Sequence, residues 1–148
     1  MTAIAVYMLI IPGRLPGLNE ATAANRSHAM MGAKLKQLIE QEIGWEIRRQ
    51  LQGVAITMPV HIDYFWFERD KRRDKDNISG WGRKVIQDAL VFEGILIDDG
   101  WDEIVGFNDC FAVDKACPRI EVRIEEVQGL PPITKKRRGT SSRRKGGR

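Results

Sequence analysis

The stretch YFWFERDKRRDKDNISGWGRKVIQDALVFEG, residues 64–94, decides the fold. It opens on four consecutive aromatic residues, Tyr64, Phe65, Trp66 and Phe67. Because no alternate position among them is polar, they read as a strand buried on both faces. The next ten residues, 68–77, carry nine charges and cannot be buried, so residues 69–77 read as a charged loop. The period then changes. Val85, Ile86, Ala89 and Leu90 recur at helical spacing with Phe92 on the same side, and Gly94 supplies a C-terminal stop. A buried strand therefore passes through an ionic loop into an amphipathic helix.

Reading outward from this unit, residues 3–11 (AIAVYMLII) form an apolar run that predicts a buried strand, closed by Pro12-Gly13. Residues 12–19 read as a loop. From about residue 24 to 51 Leu35, Leu38, Ile39, Ile43 and Ile47 share one helical face, with Gly44 a weak point. Residues 54–67 are β-rich and residues 95–100 form a turn-rich link. Residues 104–113 and 119–127 are predicted to pair antiparallel around 114–118. In the second of these strands Ile120, Val122 and Ile124 point inward and Glu121, Arg123 and Glu125 outward. The expected order is β-α-β-α-β-β, an α/β fold with a small mixed sheet and two main helices, in a single domain spanning residues 1–128. The strand at 64–67 and the final strand are both candidates for an exposed edge.

Charge divides the chain in two. Residues 129–148 hold eight basic side chains and no acid, which leaves 16 basic against 20 acidic residues in the body, a net −4. Pro131-Pro132 and the Lys/Arg/Gly/Ser composition beyond cannot bury apolar surface, so this segment is expected to be a disordered basic tail. A basic tail on an acidic body suggests a polyanionic partner such as nucleic acid. A merely solubilising terminus has the same composition. The run at 3–11 is half the roughly 20 residues needed to span a bilayer, and no basic residue precedes it, which argues against a membrane span or a secretory signal. Cys110 and Cys117, with only His28 and His61 elsewhere, make neither a disulfide framework nor a zinc set. They are expected to be reduced packing residues in a cytoplasmic protein.

Within the charged loop Asp74 and Asp76 sit two apart, which in extended backbone places both carboxylates on one side. Two carboxylates held together repel unless a cation lies between them, and hard divalent cations take oxygen ligands. Arg69, Lys71, Arg72, Arg73 and Lys75 interleave these acids and offer charge to phosphates. Asp-x-Asp alone is a common pattern, and Asp76 or Asn77 also suits a helix N-cap. An EF-hand is excluded, since the Gly and the terminal Glu of that loop are missing. Asp98 and Asp99 form a second acidic pair after the helix, where a plain solvated turn is the competing reading.

The combination RRDKDN at 72–77, Lys84, DAL at 88–90 and IDD at 97–99 resembles the RusA-type Holliday junction resolvases, small homodimeric endonucleases of bacteria and their phages. The loop IPGRLPGLNE at 11–20 is similar to that family's Pro-containing loop ending in Asn, so the resemblance runs in order through most of residues 4–127. One position departs from it. The family lysine lies four residues after the second Asp, where this chain has Gly80, and Lys84 aligns only across a four-residue insertion, which advances a helix about 6 Å. Arg83 is its neighbour. The resemblance implies Asp74, Asp76 and Asp99 as ligands of Mg²⁺ or Mn²⁺, with Asp98 in support. It also implies Lys84 as a catalytic charge on the transition state. Arg69, Lys71, Arg72, Arg73, Lys75, Asn77, Arg83 and Asn19 are the implied DNA contacts. Trp66, Trp81, Trp101 and Phe107 are candidates for core positions or for stacking on unpaired bases.

The expected activity is metal-dependent cleavage of four-way DNA by paired symmetric nicks in recombination and repair, carried out by a homodimer. Two other readings stay open at this point. One is a nuclease of broader flap or branched-DNA preference, and the other a non-catalytic nucleic-acid-binding protein whose acids are solvated loops.

Overall fold

The computed structural model describes residues 4–135. Strand β1 (Val6–Pro12) leads into helices α1 (Leu18–Ser27) and α2 (Ala29–Gln50), then β2 (Val60–Glu68), helix α3 (Lys75–Phe92), β3 (Ile104–Val113) and β4 (Arg119–Glu126). The four strands form one mixed sheet in the order β1-β4-β2-β3. Its mixed α/β character agrees with the sequence reading. Alternation sets its inner face: Leu9 and Ile11, then Ile120, Val122 and Ile124, then Val60, Ile62, Tyr64 and Trp66 are buried. They join Ile43 and Ile47 of α2 and Val85, Ile86, Ala89 and Leu90 of α3 in one core. Gly94 takes a positive φ of 79° just past α3, the left-handed stop that its position implied.

Several expectations need correction. The helix expected from 24 to 51 is two helices. His28 adopts an extended conformation (φ −167°), and its Nδ1 accepts the Met30 N–H at 3.2 Å, so it caps a new helix instead of continuing the old one. Gly44 does not interrupt α2. A Cβ there would lie 2.7 Å from Glu93 Oε1, the end of a flexible side chain just past α3. The aromatic strand is buried on one face only, with Phe65 and Phe67 half-buried on the other.

A further correction concerns pairing. Strands β3 and β4 are not a hairpin. β3 pairs parallel with β2 across the α3 crossover, whereas β4 lies antiparallel between β1 and β2. Residues 114–118 hop across the end of β2, where the Asp114 N–H donates to the Glu68 carbonyl (2.8 Å) and the Arg119 guanidinium lies 3.9 Å over Phe67. Hence β2 and β4 are interior strands, and the edges are β1 and β3. The outward backbone groups of Ile10 on β1 are taken by one side chain, with Gln50 both accepting from its N–H and donating to its carbonyl (each 2.7 Å).

Cys110 and Cys117 are free and exposed, not packing residues. The chain stays attached well past β4. The Ile133 N–H donates to the Thr57 carbonyl at 2.7 Å, and the Lys135 ammonium lies 3.0 Å from the buried Glu103 carboxylate, a contact that raises the lysine pKa. The expected basic tail is therefore fastened through residue 135, and the rest of it lies outside the described residues. Among the described residues no helix is long and apolar enough to cross a membrane.

Candidate functional site

The C-terminal end of β2 brings Glu68 onto the buried side of the sheet, where a lone carboxylate would be costly. Arg73 answers it with a two-pronged contact, Nε to Oε1 at 2.8 Å and Nη2 to Oε2 at 2.9 Å, and donates its remaining Nη1 to the Leu15 carbonyl at 2.9 Å. Only 11% of the Arg73 side chain is exposed. An arginine expected to meet phosphate is thus a bolt joining the charged loop, β2 and the segment before α1. Ahead of it, Asp70 accepts the Arg72 N–H at 3.0 Å and turns the loop back towards α3.

Helix α3 begins at Lys75 with Asp74 as its N-cap residue, yet Asp74 makes no side-chain cap bond. Its carboxylate and that of Asp76 in the first turn are both exposed. Neither has a side-chain hydrogen bond or ion pair among the described residues. The positive end of the helix dipole makes this a favourable place for two acids. Asn77 is placed differently. Its Oδ1 accepts the Asn19 N–H at 2.8 Å, capping α1 from another element, because the N-cap of α1 is Gly17. A Cβ on Gly17 would stand 2.6 Å from that oxygen, so this close approach needs glycine. Asn19 and Asn77, expected among the DNA contacts, hold α1 against α3. Asp74 and Asp76 border an open depression of about 760 Å³ between the loop, the start of α3 and the end of β3. Lys71 and Lys75 line it, with the Lys75 ammonium 5.7 Å from the Phe111 ring and, among the described residues, no carboxylate partner. Arg69 and Arg72 approach Asp70 only at 3.6 Å and stay largely in solvent.

A second charged group stands further along α3. Lys84 reaches Asp99 at 2.9 Å and Asp88 at 3.1 Å, and Lys36 of α2 adds a contact to Asp88 at 2.9 Å. Asp99, then Asp88, hold the Lys84 pKa above its ordinary value. Asp98 accepts the Asp99 N–H at 2.9 Å, which fixes the turn. Beside this cluster Arg83 pairs with Asp109 at 3.1 Å and covers the Phe107 ring at 4.6 Å. Asp109 also accepts from Trp66 Nε1 at 2.9 Å, and Gln87 donates to the Tyr64 hydroxyl, whose pKa burial pushes up.

The two groups border separate depressions. Asp74 and Asp76 lie by Phe111 and Val113, and Asp99 by Phe107. Eight residues separate Asp76 from Lys84, about 12 Å along the helix axis. Among the described residues no three His, Cys, Asp or Glu side chains converge where they would share a metal ion. Asp74 and Asp76 line one depression at the start of α3, and Asp99 lines another. The pair alone suits a hard divalent cation, being two acceptor-only groups with no partner, whereas Asp99 is neutralised by Lys84. Of the aromatic candidates, Trp66 is core, Trp81 is half-buried, Phe107 lies under Arg83, and Trp101 beside Asp99 is 93% exposed.

Sequence reasoning missed Glu68, Asp88 and Asp109. Asp88 was within reach of it, since Lys84 and Asp88 are four apart on one helix face. Asp109 was not, because its place depends on the parallel register that sets it opposite Tyr64. Neither protein-family models nor curated proteins, when compared with the chain, give a match.

Proposed function

We propose that the chain is a metal-dependent endonuclease for branched DNA, acting as a homodimer on four-way junctions as its resemblance to the RusA-type resolvases implies. The observation that carries this reading is the bare Asp74–Asp76 pair at the start of α3, bordered by cations that have no strong carboxylate partner. A bound Mg²⁺ or Mn²⁺ there would supply an activated water and Lewis-acid stabilisation of the leaving oxygen. The chain's own residues do the rest. Asp74 and Asp76 offer oxygen ligands on a helix end made rigid by the Arg73–Glu68 fork and the Asn77 cap. Lys71, Lys75, Arg69 and Arg72 hold backbone phosphates without reading sequence. Trp101 presents an indole face to an unstacked base beside Asp99. Asp99 joins the pair only if residues 98–99 shift along α3, which would open its contact with Lys84.

The engagement of Asp99 by Lys84 favours a second reading, a nucleic-acid-binding protein without catalysis. One experiment separates the two: nicking of a synthetic four-way junction with Mg²⁺, against EDTA and against linear duplex. Metal-dependent nicking of the junction supports the first reading, and tight binding with no nicking in Mg²⁺ or Mn²⁺ supports the second.

The basic segment adds affinity in either case. Seven of its eight cations lie beyond residue 135. A chain ending at Lys135 keeps the contacts to Thr57 and Glu103, so it should fold as the full chain does. It should bind DNA more weakly at low salt, with a log–log salt slope shallower by about 0.9 for each phosphate it no longer neutralises. Cleavage at saturating protein should persist, and its loss would give the tail a role in the chemistry.

A further inference from the structure

Helix α2 faces the core through Ile43 and Ile47. Leu38, expected on that same face, is nine residues from Ile47, which at 100° per residue places it on the opposite, solvent side. That side should be polar, yet it carries an apolar stripe at intervals of seven: Met31, Leu38 and Trp45 are 58%, 50% and 61% exposed. A spacing of seven keeps residues on one line of a helix to within about 20° per repeat. Such a line, three turns or more in length, is the pattern of a helix that packs on another helix.

The ions beside the stripe identify the occupant. Lys34 and Glu42 flank Leu38 at four residues on either side, both exposed and neither with an ion-pair partner among the described residues. We infer that a second copy of this chain docks here, its α2 antiparallel to the first across a two-fold axis at Leu38. Reversal about Leu38 sets Lys34 level with Glu42 of the second copy, and Glu42 level with its Lys34, so both unpaired ions are matched twice. The same operation lays Met31 against the indole of Trp45, a contact that sulfur and aromatic rings favour. A two-fold interface must be self-complementary, and this stripe is so in charge. A single helix pair is small beside the roughly 1,000 Å² of a stable interface, so the dimer should dissociate measurably on dilution. The inference names the surface for the homodimer proposed above, and rests on that reading only for the expectation of a two-fold unit.

Sedimentation equilibrium of the full chain without DNA, at micromolar concentration, should give twice the 16.9 kDa chain mass. Leu38→Lys should give a monomer with unchanged circular dichroism, since Leu38 already stands half in water. Lys34→Glu should weaken the dimer roughly tenfold by setting two acids level across the axis. Combining it with Glu42→Lys should restore the wild-type constant, a rescue that a heterologous surface would not show. A wild-type monomer, a dimer indifferent to Leu38→Lys, or a charge reversal without rescue would overturn the interface. Junction nicking is scored on the same samples. A dimer that obeys the charge swaps but never nicks keeps the interface and removes the nuclease, and nicking by a dimer indifferent to Leu38→Lys does the reverse.

Discussion

Asp76→Asn should remove metal-dependent nicking, by about a hundredfold or more, while leaving junction binding intact or tighter. The magnitude follows from the several kcal/mol that a catalytic metal contributes, at 1.36 kcal/mol for each factor of ten. The separation of binding from chemistry follows from geometry. Asp76 is exposed and has no partner among the described residues, so the amide breaks no contact there, and the loss of one negative charge eases the approach of phosphate. Melting should be almost unchanged, because an acid in the first turn of a helix contributes only about 0.3–1 kcal/mol through the dipole. Gel shift and nicking on one preparation check the result. Nicking near the wild-type rate would show that Asp76 binds no essential metal.

Arg73→Ala should be the most destabilising single change in the charged loop. It strands the Glu68 carboxylate, which is buried with Arg73 as its cation, and it cuts the tie to the Leu15 carbonyl. Removing one partner of a buried ion pair costs about 3–5 kcal/mol. At 2–4 °C per kcal/mol for a chain of this size, the melting temperature should fall by roughly 10 °C. Arg73→Lys should recover only part of the loss, since an ammonium does not reproduce the planar fork. Arg69→Ala and Arg72→Ala, both at exposed positions, should leave melting unchanged and weaken DNA binding. An unaltered melting curve for Arg73→Ala would show that Glu68 and Arg73 are not coupled in solution.

That contrast marks where sequence ceases to inform. All five cations of the loop look alike in RDKRRDK, because their roles depend on what the end of β2 buries. Glu68 falls on the inward phase of the strand by parity alone, and whichever arginine can fork onto it from the arch of the loop is withdrawn from the surface. Parity and helical period are local, and they gave α3, the stop at Gly94 and the inward row of β4 correctly. Pairing is not local. Two alternating strands joined by five residues read as a hairpin, and nothing in those residues states that the link passes over the end of β2. The error carried through to the candidate edges and to Asp109. Likewise the spacing of Asp74, Asp76 and Asp99 along the chain said nothing about how far the turn at 98–99 falls from the start of α3, and that distance divides the acids.

The position of β4 also governs how this protein can be made. β1 and β4 pair across more than 110 residues at their outer ends, Val6 with Glu125, and β4 separates β1 from β2. A nascent chain therefore holds its first strand without a neighbour until almost the whole domain has left the ribosome, several seconds or more at about 5–20 residues per second. The local unit β2-α3-β3 can form earlier, and its β2 edge stays unpaired until β4 arrives. Pairings of such long range make folding slow for the chain length. Products of premature termination before residue 119 would display an unpaired β1 and the open edge of β2, both rich in aliphatic and aromatic residues, and are expected to aggregate or be degraded instead of accumulating as a folded partial domain.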